Sequence, residues 1–177
     1  RKDPAEVSLR FCLAFPDVYE VGMSHLGIQI LYHLINERKG VACERAFAPW
    51  VDMEKVLRER KVLLASLESS TPLNQFDIVG FSLQYELCLT NVLNMLGLSN
   101  IPLFSKDRNE RFPLIIAGGP LTFNPAPVAD FFDAMVIGDG EEVVVEICDI
   151  VLEWKEAKAK REDLLKSLSQ LEGAYVP

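Results

Sequence analysis

The strongest constraint on this chain is a repeated alternation of short, almost purely apolar runs with amphipathic stretches. VSLRFCLAF (Val7 to Phe15) reads as a buried strand ended by Pro16-Asp17. A loop from Asp17 to Ser24 leads to a helix from about His25 to Arg38, with Leu26, Ile30, Leu31, Leu34 and Ile35 in one stripe. Ser24 is its expected N-cap and Gly40 its stop. Val41 to Ala48 is a second strand, followed by a charged helix from Asp52 to Arg60. FDIVGFSL (Phe76 to Leu83) is a third strand, and Glu86 to Leu96 its helix. FPLIIA (Phe112 to Ala117) is a fourth, broken by Gly118-Gly119-Pro120 and followed by a short helix over Ala126 to Phe132. AMVI (Ala134 to Ile137) is a fifth, and Gly138-Asp139-Gly140 turns into a helix near Glu141. Strands buried on both faces read as continuous apolar runs, and parallel strands need crossovers, which helices supply. The expected fold is therefore α/β: a flavodoxin-like, doubly wound sheet of five parallel strands.

Beyond Trp154 the pattern changes. Lys155 to Asp163 is a charge run expected to form a solvated helix face, and Leu164, Leu165, Leu168 and Leu171 form a last apolar stripe. Residues 1–152 are thus expected to form the α/β domain and 153–177 a C-terminal helical connector. The chain opens on Arg1 and closes on Tyr175-Val176-Pro177 with no finishing element visible, and reads as a fragment of something longer.

Composition narrows the function. With 177 residues and 49% hydrophobic positions, a single core forms without staples. A formal charge of −8 argues against a duplex DNA surface, which needs clustered cations. No apolar run reaches the ~20 residues of a membrane helix, and no targeting pattern opens the chain. Cys12, Cys43, Cys88 and Cys148 show no CxxC or CxxxCxxC spacing, so neither a zinc nor an iron–sulfur site is expected from this chain alone. Reduced thiols in apolar segments suit a reducing, cytoplasmic setting. His25 and His33 lie eight residues apart on one predicted helix, ~12 Å along its axis, too far to share an ion.

In an open parallel sheet the ligand crevice lies beyond the carboxyl ends of the strands. Those ends are Pro16 to Ser24, Ser82 to Tyr85, Gly118 to Asn124 and Gly138 to Glu142. A phosphorylated receiver would need Asp after the third strand and Lys after the fifth; Ser82-Leu83 and Gly138-Asp139 stand there instead. A mononucleotide phosphate loop would be repelled by Asp17 and Glu20, and no G-x-G-x-x-G follows a strand. Gly138-x-Gly140 is flanked by Asp139, Glu141 and Glu142, which oppose pyrophosphate.

The run IIAGGPLTFNPAPVADFFDAMVIGDGEEVVVEI (Ile115 to Ile147) resembles the cobalamin-binding-like domain that stands ahead of a radical SAM core. Met23-Ser24-His25-Leu26-Gly27-Ile28 is similar to that family's Pro-Leu-Gly-Leu helix start, and Phe76 to Ser82 to its third strand. PDVYEVGMSHLGIQILYHL and FDIVGFSLQYELCLTNVLNML look closest to a branch of B12-binding-type radical SAM proteins. The resemblance spans about Val7 to Val151.

It implies an accessory domain of a radical SAM enzyme, with cobalamin over the sheet relaying a methyl group or tuning the radical step. The [4Fe–4S] cluster and S-adenosylmethionine would belong to a radical SAM core in the same polypeptide, since CxxxCxxC is absent here. The residues it places at the cofactor are Tyr19, Ser24, Gly27, Ser82, Gln84, Gly118, Gly119, Pro120, Thr122, Gly138, Gly140 and Glu141. Ser82 would face the nucleotide tail, and Gly118-Gly119 would let it pass close to bare backbone.

Relatives that ligate cobalt from below carry Asp-x-His-x-x-Gly. The equivalent Asp17 to Gly22 has Tyr19 at the histidine position, and a tyrosine would have to ionise from a pKa of about 10. His25 is in the wrong register to replace it, and Leu121 follows Gly-Gly-Pro where many relatives have His. Binding would thus lack a lower-axial histidine; the alternative is a cofactor-free domain for substrate docking or subunit contact. Gly118, Gly119, Gly138 and Gly140 could equally serve as turn residues, and Ser82 could satisfy nearby backbone.

Overall fold

Five of the apolar runs do become parallel strands, and a sixth strand closes the sheet. A computed structural model describes Lys2 and residues 6–177. The strands are β1 (Leu9–Phe15), β2 (Val41–Phe47), β3 (Ile78–Ser82), β4 (Leu114–Gly118), β5 (Ala134–Val136) and β6 (Ala174–Tyr175). The helices are α1 (Tyr19–Met23), α2 (Leu26–Glu37), α3 (Val51–Arg60), α4 (Leu89–Leu98), α5 (Val143–Ala157) and α6 (Arg161–Leu168). The sheet order is β2-β1-β3-β4-β5-β6, with β1 to β5 parallel and β6 antiparallel to β5. The chain therefore leaves β1 in opposite directions for β2 and β3, which opens a crevice at the carboxyl ends of β1 and β3.

The two-residue period of the strands sorts their side chains into two cores. Cys12, Val79, Phe81 and Ile115 face one way, onto a layer that includes Val92, Met95 and Leu96 of α4. Leu9, Phe11, Leu13, Ile78 and Ile116 face the other, onto α2, α5 and α6. Gly80 sits under the Phe11 ring, where a Cβ would come within 2.9 Å of it, so this glycine is a packing requirement. No helix among the described residues is long and apolar enough to cross a membrane.

Three expectations need correction. The five-stranded sheet has six strands, because Ala174–Tyr175 pairs with Met135 and Val136. Two residues are too few to show a strand period, so no sequence pattern marks this strand. The Asp17 to Ser24 loop contains α1, and the residue before α2 is His25 rather than Ser24, whose hydroxyl instead donates back to the Glu20 carbonyl at 2.9 Å. The charge run is not a uniformly solvated face: Arg161 is only 6% exposed.

Residues 153–177 pack on the sheet layer. Position 152 falls inside α5, and Leu164 and Leu168 are buried against the α2–α5 side. Arg161 donates through Nη2 to Asp133 at 2.8 Å and to the Pro113 carbonyl, and through Nη1 to the carbonyls of Asn109 and Phe112. Asp133, fully buried just before β5, also accepts from Arg108 Nη1 (3.2 Å), Ser105 Oγ (2.6 Å) and the Ile115 amide (2.6 Å). One carboxylate thus locks α6, the loop before β4 and the start of β5 together.

Candidate functional site

A cavity of about 360 Å³ opens at the carboxyl end of the sheet and runs between its face and the helices α2 and α5. Its floor is Phe11, Leu13, Ile116 and Val136, and its helical walls are Leu31, Val144 and Ile147. These are alternate strand residues and inward helix residues, so the same periodicity that builds the core leaves an apolar slot. The mouth is formed by the turns after β3, β4 and β5. A second cavity of about 190 Å³ lies alongside, under Phe15, Asp17, Val21, Tyr85 and Cys88. His25, Ser82 and Gln84 line both.

Nine of the twelve residues singled out in the sequence meet at this slot: Gly27, Ser82, Gln84, Gly118, Gly119, Pro120, Gly138, Gly140 and Glu141. Ser82 Oγ accepts from Gln84 Nε2 at 2.9 Å, which leaves its own hydroxyl proton free to donate. The other three residues lie elsewhere. Tyr19 is half exposed, its ring edge-on to Phe47. Ser24 ends α1. Thr122 is fully buried and its hydroxyl bridges the carbonyls of Gly119 (2.8 Å) and Val136 (2.6 Å), tying the β4 turn to β5. Thr122 therefore shapes the rim without reaching into it. Leu121 is turned into the opposite core.

The four rim glycines divide by cause. Gly119 has φ +106°, and a Cβ there would stand 2.6 Å from the Leu83 carbonyl oxygen, so the fold itself demands glycine. Gly138, at φ +108°, is likewise required by its backbone. Gly118 and Gly140 are different. Neither has a positive φ, and the nearest atoms to a Cβ would be Val136 Cβ at 4.0 Å and Leu31 Cδ2 at 3.9 Å. Nothing among the described residues requires them to be glycine, yet both leave backbone bare on the slot.

Two features of the site had weak signals in the sequence. His25 stands at the N-cap of α2 without a side-chain cap bond, its ring tilted and 5.2 Å from that of Phe15, and holds a buried Nδ1 with no partner among the described residues. Phe123 is 72% exposed at the mouth. Only their positions just past predicted strand ends could have suggested either. The acidic residues stand around the opening: Asp139 and Glu141 line the slot, and Asp17 lines the second cavity, where it accepts from Tyr85 Oη at 3.3 Å. The Asp17 charge is the main cause that raises the Tyr85 pKa, with burial second. Among the described residues no group of three or more His, Cys, Asp or Glu could hold a metal ion.

The family described as radical SAM proteins, N-terminal, matches residues 27–177. Among solved structures, the chain is similar to the radical S-adenosylmethionine methyltransferase TsrM from Kitasatospora setae, solved with tryptophan substrate and the SAM analog aza-SAM bound. The TM-score is 0.50 at 15% identity, over 82% of this chain and 26% of that one. The present chain thus spans about a quarter of that protein's length. No curated protein matches it in sequence.

Proposed function

Because this chain belongs to the N-terminal domain family of radical SAM proteins, we propose that it is the accessory domain of such an enzyme and holds cobalamin at the carboxyl end of its sheet. The observation that carries this reading is the pair of glycines, Gly118 and Gly140, left bare on an apolar slot without any internal need. A ligand with a long tail must pass close to backbone, and only a residue without Cβ permits that approach. The slot between the sheet and α2/α5 gives such a tail an apolar wall on both sides, with the Ser82 hydroxyl and Gln84 as its polar contacts.

Cobalamin, when bound, supplies methyl-group relay. The residues here bind and orient it: the turns at Gly118–Pro120 and Gly138–Glu141 set the rim, and Leu13, Ile116 and Val144 exclude water from the tail. Tyr19 stands outside the slot, edge-on to Phe47, and would not be among the residues that hold the group. The iron–sulfur cluster and S-adenosylmethionine would be held by a radical SAM core of the same polypeptide.

Titration with hydroxocobalamin tests the reading. Purified protein at micromolar concentration should shift the visible spectrum and retain the corrinoid through gel filtration. An unchanged spectrum with no retained cofactor would overturn it.

A second reading rests on the apolar residues left exposed on the loops around the mouth. Trp50 (65%), Leu87 (79%) and Phe123 (72%) follow β2, β3 and β4, and their exposure suits a docking face. A cofactor-free docking domain would show this rim and no corrinoid binding.

A further inference from the structure

The cofactor reading draws on the slot and makes no use of the second cavity, about 190 Å³, which lies where the chain departs from β1 in opposite directions. Its walls come from three elements: Phe15 and Pro16 at the end of β1, Val21 on α1, and Tyr85 and Cys88 after β3. α1 packs down through Gly22, where a Cβ would stand 2.4 Å from the Phe47 ring, and the neighbouring Val21 faces the gap between the two loops. The surface presented to the cavity is almost entirely carbon, although Asp17, His25, Ser82 and Gln84 belong to its lining. Their polar atoms are engaged elsewhere. Asp17 accepts from the Val18 amide at 2.7 Å and from Tyr85 Oη at 3.3 Å, Gln84 Nε2 donates to Ser82 Oγ at 2.9 Å, and His25 Nδ1 is buried.

Water in such a space needs several polar partners, and these walls offer almost none. Close-packed interiors leave few voids larger than a water molecule, so an apolar one of this size calls for an occupant. An apolar cavity of about 150 Å³ stays dry and accepts benzene, and this one is large enough for a single ring with the carbons next to it. We propose that the second cavity is a binding site for an uncharged apolar group of ring size, the body of the molecule that is acted on beside the cofactor. Its role as a substrate pocket rests on the cofactor reading; its capture of an apolar group does not. No Lys or Arg lines it, and a carboxylate would leave water only to face Asp17. His25, Ser82 and Gln84 line both cavities, so a group held here lies against the same wall as the ligand of the slot.

Benzene is the probe, added to isotope-labelled protein without cobalamin, with benzoate as its charged counterpart. Benzene should move the Val21 methyl and Cys88 amide resonances saturably, and benzoate should need a concentration roughly tenfold higher or more. Val21→Phe and Cys88→Met each add side-chain volume at the cavity wall, and each should abolish the response. Val21 is half exposed, so its variant should keep the native melting midpoint. In protein saturated with hydroxocobalamin the benzene response should persist. No saturable shift at Val21 and Cys88, an equal response to benzoate, a response retained in both variants, or one displaced by the corrinoid would overturn the proposal. A benzene response in protein that fails to bind hydroxocobalamin would support the pocket and overturn the cofactor reading alone.

Discussion

Gly118 and Gly119 are adjacent in sequence and opposite in cause. Gly119 is held at φ +106° with the Leu83 carbonyl where its Cβ would be, so Gly119→Ala should cost at least about 1–3 kcal/mol in chemical denaturation. Gly118→Ala meets only ordinary contact and should stay within about 0.5 kcal/mol of the native protein. On the cofactor reading it nonetheless weakens hydroxocobalamin retention, and this separation of stability from binding is the measurement that matters. The cysteines are a second residue-scale case. Burial pushes the Cys148 thiol up to about 12 from an ordinary 9.0, and raises Cys12 and Cys43 well above that value. The unfolded chain then loses thiol protons above pH 9 while the folded one keeps them. Stability should therefore fall as pH rises from about 9 towards 12, with no change from this source below 9. Urea midpoints across that range check the slope, and thiol reagents at pH 8 should find Cys12, Cys43 and Cys148 unreactive until the protein unfolds.

At the scale of elements, the tail from Lys160 onward was the least legible part of the chain. A run of Lys, Glu and Arg has the same composition whether it faces water or closes a core. Arg161 is distinguished only by reaching Asp133, twenty-eight positions earlier. Ending the chain after Ala159 should therefore be severe. It removes Leu164 and Leu168, worth about 3–6 kcal/mol together, and takes one of two cations from buried Asp133. That is a large share of the roughly 5–15 kcal/mol that holds a domain folded. Thermal melting should show a much lower midpoint or no transition; an unchanged midpoint would mean that α6 and β6 are appended to the fold and do not complete it. The loop over residues 62–72 was equally silent in sequence. It covers the outer edge of β2, with the Leu67 amide donating to the Arg45 carbonyl and Ser66, Ser69 and Arg10 converging on Glu44. Burial alone would raise the Glu44 pKa, but those hydrogen bonds outweigh it and hold the carboxyl below its usual range.

Across the whole molecule, the polar and bare-backbone features of the carboxyl end are ringed by exposed apolar side chains, while the amino end is closed by the Asp133 lock. If the rim docks a further domain, Trp50→Asp and Leu87→Asp should leave this domain's melting within about 0.5 kcal/mol, since both side chains are exposed. In a polypeptide that carries this domain together with a radical SAM core, the same changes should speed proteolysis of that core, and equal cleavage rates would remove the docking reading. The sequence by itself determined the five parallel strands, the positions of their turns and nine of the residues that line the slot. The strands and turns follow from local periodicity and from the rule that a doubly wound sheet presents its strand ends to ligand, whereas the slot residues were named by the family resemblance. Only the tertiary structure decided that Gly119 is structural while Gly118 is free, that Thr122 and Tyr19 stay out of the slot, and that Arg161 is buried. Each of these depends on what a distant segment places next to the residue: the Leu83 carbonyl, the Val136 carbonyl, the Phe47 ring and the Asp133 carboxylate. Periodicity describes a residue's own element, and contacts between elements are set only when the chain closes on itself.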